Sequence, residues 1–131
     1  MSPISFALPW PPATLSPNGS HGHWFTAAKA RKRYRGACYV SVLADAVPRP
    51  TAARLKVLLL FVPPTRSERR NVDNLIARMK AGLDGVAQAW GIDDRAFERV
   101  EGAIIPVANP TRAAAAVRVE VREHLPAEVA P

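Results

Sequence analysis

Hydrophobic positions alternate with polar ones near both ends of the chain and recur with helical spacing between them. Ile4, Phe6 and Leu8 alternate with smaller or polar residues, and the following Pro9-Trp10-Pro11-Pro12 forbids continuation as a central strand, so residues 3–8 read as a strand. Residues 9–22 contain four prolines, two glycines and the turn-favouring Ser16-Pro17-Asn18-Gly19, and form a loop. No proline interrupts Trp24 to Ala46, where Trp24, Ala28, Arg31, Arg35 and Tyr39 fit a long helix that Pro48 and Pro50 end.

Residues 54–62 begin with apolar and basic alternation and become continuously apolar, as a strand buried on both faces would, before Pro63-Pro64 stops it. After a polar, basic loop from Thr65 to Arg70, a second helix is expected from Val72 to Gln88. It gathers Leu75, Met79, Leu83 and Val86 on one side, and Gly91 closes the segment. Two strands follow, 99–107, interrupted by Gly102 and Pro106, and 113–122, where Val117, Val119 and Val121 alternate with Arg118, Glu120 and Arg122. This order predicts an α+β fold: a single small domain over 1–131, with one mixed β-sheet partly covered by two main helices and a loose tail at 126–131.

Composition narrows the picture. A chain of 131 residues has room for one domain, and 48% apolar with 22% charged residues excludes disorder. The longest strongly apolar run, Val57 to Val62, is far short of the roughly 18 residues of a membrane span. The start of the chain lacks the pattern of a signal peptide, so a cytoplasmic protein without a membrane partner is expected. Cys38, the single cysteine, reads as a small buried hydrophobe.

The net charge of +7 is unevenly spread. Residues 1–67 carry nine Lys or Arg and one acid, Asp45, whereas residues 68–131 carry nine and ten. Such an excess attracts a polyanion, because neutralised phosphates release their counterions. Lys29, Arg31, Lys32, Arg33 and Arg35 crowd the first helix on more than one face, and Arg66, Arg69 and Arg70 lie in the basic loop. Together they are the candidate DNA-binding residues, weighed against a merely solvated surface. His21, His23 and Trp24 lack a recognisable third ligand for zinc and suit a loop contact with DNA; Trp10 and Trp90 read as core or interface residues.

The most informative charges are those of Arg69-Arg70-Asn71-Val72-Asp73-Asn74-Leu75, followed by Lys80, Asp84 and Asp93-Asp94. Phosphodiester cleavage uses carboxylates that hold magnesium, and Asp73 and Asp94 suit that task. If Asp73 opens the helix, Lys80 lies seven residues on, within about 20° of the same face, where it can act on the phosphate. A plainer reading makes Asp73 a helix cap and Asp93-Asp94 a turn, and spacing alone favours it.

Three motifs change that balance. Leu8-Pro9-Trp10-Pro11-Pro12, Asp73-Asn74-Leu75 and Asp93-Asp94, in this order and at these separations, resemble the successive motifs of RusA-type Holliday junction resolvases, over most of the chain. The resemblance implies a homodimeric crossover junction endodeoxyribonuclease, of a kind common in phage and prophage genomes. Such an enzyme binds branched DNA with four arms and nicks two opposing strands with Mg2+, for which Mn2+ can substitute. The family's Asp-x-Asp-Asn motif maps to Asn71 and Asp73, its later acid to Asp94, with Asp93 as a supporting carboxylate. By resemblance the metal ligands are therefore Asn71, Asp73, Asp93 and Asp94, and the catalytic set is Asn71, Asp73, Lys80 and Asp94.

Two departures stand out. The family lysine follows its motif by four residues, where this chain has Ala77, so Lys80 implies a three-residue insertion. At Asn71 an amide stands where a carboxylate is expected, which should weaken metal affinity and cleavage while sparing the fold. Natural variation and an engineered substitution are both open, and an engineered or otherwise cleavage-deficient form of an active enzyme is the preferred reading. A cleavage-deficient junction-binding protein and a basic structural or assembly protein are the alternative readings.

Overall fold

The computed structural model describes residues 1–16, 24–69 and 71–126, with backbone alone at 24, 25 and 69. Four strands, β1 (Ile4–Leu8), β2 (Leu55–Val62), β3 (Phe97–Ile104) and β4 (Ala116–Glu123), form one mixed sheet in the order β1-β4-β2-β3. β4 runs antiparallel to both β1 and β2, whereas β3 runs parallel to β2. The helices are α1 (Trp24–Ala44), α2 (Val72–Arg78) and α3 (Lys80–Trp90). The domain is therefore α+β, with three α-helices among the described residues where two main helices were expected.

Alternation decides which strand face meets the helices. Leu55, Val57, Leu59 and Phe61 of β2, Val117, Val119 and Val121 of β4, and Ile4 and Leu8 of β1 are buried in one core. They come into line through pairs such as Val57 with Val121 and Leu59 with Val119. The expected burial of β2 on both faces is corrected: Lys56, Leu58, Leu60 and Val62 are only half-buried. The helices cover one face, and on the other Leu58 lies opposite Glu120 and Leu60 opposite Arg118, whose aliphatic stems give partial shelter.

α1 offers a narrow buried stripe, Ala27, Tyr34, Cys38 and Val42, and leaves most of its remaining side chains exposed. It meets α3 at two glycines. A Cβ on Gly85 would stand 2.2 Å from the carbonyl oxygen of Arg35, and one on Gly82 would stand 2.6 Å from the Tyr34 ring. Both glycines are thus a steric requirement of the helix contact. Burial pushes the Cys38 thiol up to about 11 and raises the neighbouring Tyr34 hydroxyl further still.

The second expected helix is broken. At Met79, fully buried with φ −81° and ψ −8°, the backbone N–H donates to Ile76 three residues back at 3.0 Å, a tighter 3-10 step. Tyr34 holds this joint from α1: its hydroxyl lies 3.2 Å from Met79 Sδ and donates to the Pro9 carbonyl at 2.6 Å. One tyrosine thus ties the Pro-rich segment, α1 and the α2–α3 joint together. Trp90 is buried, donates to Val47 O at 3.3 Å and packs edge-on to Phe6; Trp10 packs edge-on to Phe61.

Candidate functional site

The start of α2 is fixed by a cap. Asn71 has extended backbone (φ −145°, ψ 96°), and its side-chain oxygen accepts from the Asn74 N–H at 3.1 Å, which satisfies one of the free donors of the first turn. Asn74 in turn accepts from the hydroxyl of the buried Ser16 at 2.7 Å, so the end of the Pro-rich segment is pinned to the same turn. The capping role considered for Asp73 belongs to Asn71; Asp73 is exposed in the first turn of α2.

α3 and the turn after it build the site proper. Gly91, at φ 68°, ends α3 in the left-handed conformation that glycine favours, and the chain enters a short 3-10 turn at Asp94–Ala96. Asp93 caps this turn: it accepts from the Arg95 backbone N–H at 2.9 Å and pairs with the Arg95 guanidinium at 2.8 Å, which holds its carboxyl well below the usual range. The oxygens of Asp93 are therefore engaged on the surface.

Asp94 interacts with Asp93 and also reaches Asp84 of α3. An open cleft of about 240 Å³ is lined by Ile76, Lys80, Leu83, Asp84, Asp94, Phe97 and Val100. Burial holds the Asp84 carboxyl above its ordinary value and a hydrogen bond with Asp94 adds to the rise, while Lys80 and Arg35 pull in the opposite direction. Two carboxyl groups that line one cleft, with the Lys80 ammonium beside them and the Arg35 guanidinium acting on Asp84, are oxygen donors that can hold a cation.

Of the residues expected from sequence, the cleft brings together Lys80 and Asp94. Neither Asn71 nor Asp73 lines it, although Asp73 lies one helical turn before Ile76, which does. The expected alignment of Asp73 with Lys80 assumed one continuous helix; Asp73 stands in α2 and Lys80 opens α3, with the joint at Met79 between them. Among the described residues, no three His, Cys, Asp or Glu side chains converge as a metal-holding group.

Asp84 was not among the expected site residues. Its signal was available: Lys80 and Asp84 are four apart on one helix, the spacing at which opposite charges share a face. Gly85, whose lack of a side chain lets α1 approach at Arg35, is the second omission.

The basic candidates divide. Arg31 and Arg35 line a second cleft together with Lys80 and Asp84. Lys29, Lys32 and Arg33 are exposed on α1, and Arg66 is exposed ahead of the short turn Ser67–Arg69. Arg70, His21, His23, residues 127–131 of the expected loose tail, and the side chains of Trp24 and Arg69 lie outside the described residues. Among the described residues, no helix is long and apolar enough to cross a membrane.

No family model matches the chain. A protein of Xylella fastidiosa (strain Temecula1 / ATCC 700964), described as uncharacterized, is 43% identical over 98 residues, 71% of this chain. The chain spans 61% of that relative's length.

Proposed function

We propose that the chain is a magnesium-dependent endonuclease of the RusA type, which resolves four-way DNA junctions by paired nicks. The observation that supports this reading is the pairing of Asp84 and Asp94 across an open cleft beside Lys80, with Arg35 close enough to act on Asp84. Oxygen donors of this kind suit a hard divalent ion. Asp84 and Asp94 would hold it, with Asp73 at the start of α2 as the further carboxylate of the motif. When bound, magnesium supplies an activated water and neutralises charge on the scissile phosphate.

The chain's own groups do the rest. The Lys80 ammonium, at the lip shared by two clefts, binds the phosphate and stabilises the added negative charge of the transition state. Arg31 and Arg35 hold the approaching backbone without reading bases, so selectivity rests on junction shape. Two opposed nicks need two sites, which a symmetric homodimer supplies.

Asn71 sets the level of activity. Its oxygen is used by the cap, and it brings no negative charge. Aspartate is an equally good cap and keeps a second oxygen free, so Asn71→Asp preserves α2 while adding the missing charge. This cap also favours the second reading, a junction-binding protein deficient in cleavage. A labelled four-way junction with magnesium separates the two, with linear duplex as control. Asn71→Asp is expected to nick the junction at least 100-fold faster than the unaltered chain, and Asp94→Asn in that background to remove the gain. Junction binding without nicking by Asn71→Asp leaves the second reading; equal binding to junction and duplex, unaffected by magnesium, would sink both.

A further inference from the structure

Lys80 and Asp84 also line a second cleft, of about 360 Å³, between α1 and the α2–α3 joint, where Arg31, Arg35 and Arg78 form the remaining charged wall. Four cationic side chains thus face one carboxylate. Arg31 and Arg35 are one turn apart on the same face of α1, exposed, and without an ion pair among the described residues. The close approach at Gly85 brings this turn of α1 against α3.

Arg78 is the unusual member. Its side chain is only 9% exposed and donates through Nη1 to Glu68 at 2.9 Å, while its Nε has no partner among the described residues. A guanidinium keeps its charge when buried, so placing a third arginine behind Arg31 and Arg35 costs energy unless an anion completes the set. Glu68 and Asp84 offset two of the four charges. The planar forks of Arg31 and Arg35 suit phosphate oxygens, which accept two N–H bonds side by side.

We propose that this second cleft seats a phosphate of the DNA backbone neighbouring the one that is cut, so that the strand runs from Arg31 and Arg35 over Lys80 to Asp84 and Asp94. The inference rests on the nuclease reading for its direction, and it assigns Arg78, absent from the basic candidates, a part in holding the strand. A cationic seat beside a carboxylate pair fixes the strand's register without contacting a base.

Two measurements that involve no cleavage test it. Inorganic phosphate is titrated into the full chain while the arginine Nε–Hε signals are followed by NMR. Saturable shifts are expected for Arg31, Arg35 and Arg78 together, with none for the exposed Arg112, and Arg35→Ala should abolish the shift at Arg31 and Arg78. Junction binding in EDTA is then measured against salt: Arg31→Ala with Arg35→Ala should reduce the log–log slope by about 1, and Arg112→Ala should leave it unchanged. Unsaturable or scattered shifts, an unchanged slope in the double variant, or no DNA binding at all would each overturn the proposal. Failure of Asn71→Asp to nick, with both results intact, overturns the nuclease reading and leaves the phosphate seat standing.

Discussion

The open face of the sheet and the face under the helices treat charge in opposite ways. On the open side nearly every charge has a partner close by. Lys56 and Arg99 share Glu101, Arg122 pairs with Glu120, and at the sheet margin Arg54 meets Glu98 at 2.8 Å. On the helix side Arg31, Arg35 and Lys80 form no ion pair among the described residues, and burial holds the Asp84 carboxyl above its ordinary value. The carboxylates of Glu101 and Glu120 are thus both engaged, although Arg118 on the same face forms no ion pair among the described residues. The helix side holds its cations and its carboxylates in open clefts, where they act on one another without closing into ion pairs.

The sharpest way to break this contrast is to move α1. Gly85→Ala would put a methyl group 2.2 Å from the Arg35 carbonyl oxygen, against backbone that cannot swing aside. The helices must separate, and the expected loss is about 3 kcal/mol in urea unfolding, together with weaker DNA binding as Arg35 leaves Asp84. Gly36→Ala is the counterpart on the same helix. Nothing lies within 4 Å of the new methyl, so the change should stabilise by about 0.5–1 kcal/mol through helix propensity and leave binding alone. If both variants unfold like the unaltered chain, close approach is not what positions Arg35.

The same contrast explains which features were legible in the sequence. Strands were legible from short range: 3–8 and 113–122 through alternation and 54–62 through its mainly apolar run correspond to Ile4–Leu8, Ala116–Glu123 and Leu55–Val62, and the interrupted run 99–107 to Phe97–Ile104. Local alternation also separated the valines of β4 from its outward charges. The break at Met79 was not legible, because Ala77-Arg78-Met79-Lys80 contains only good helix formers and the joint is held by Tyr34, 45 residues away. The cap at Asn71 was readable in principle, since Asn before a helix is a common stop for free N–H donors, yet the expected charge motif drew attention to its missing carboxylate instead. Asp84 could be paired with Lys80 by spacing, but its meeting with Asp94 depends on the turn beyond Gly91, and no local pattern encodes that.

Titration offers a second way to sharpen the comparison, because the two faces should fail at opposite ends of the pH scale. Under the helices, burial keeps the Cys38 thiol neutral to about 11, whereas its ordinary value is 9.0. The unfolded chain therefore releases this proton first, so the contribution is complete below pH 9 and is lost as pH rises towards 11. Tyr34, raised by burial, acts in the same direction. Urea unfolding should show a stability loss on the order of 2 kcal/mol between pH 8 and 10.5, reduced in Cys38→Ala. On the open face, Arg54 lowers Glu98 and Arg99 lowers Glu101, so their contribution is present above the ordinary 4.5 and is lost as pH falls. A flat alkaline limb would mean that Cys38 and Tyr34 are far less buried than their packing against Gly82 requires.

The smallest expected effect is also the most discriminating for the open face. Glu101→Gln removes the carboxylate shared by Lys56 and Arg99 but keeps the side chain's size, and all three groups are well exposed to solvent. Exposed pairs exchange their attraction for hydration at little net gain, so the change should cost no more than about 0.5 kcal/mol. It also uncovers two cations, which by net charge alone would strengthen attraction to DNA. If DNA binding is set by the helix-side clefts, junction affinity at moderate salt stays within about twofold of the unaltered chain, because salt screens exposed charges on the opposite face of the sheet. A rise comparable in size to the loss caused by Arg31→Ala with Arg35→Ala would assign the open face a share of the DNA surface. The division of labour between the two faces would then be false, whatever the helix side contributes.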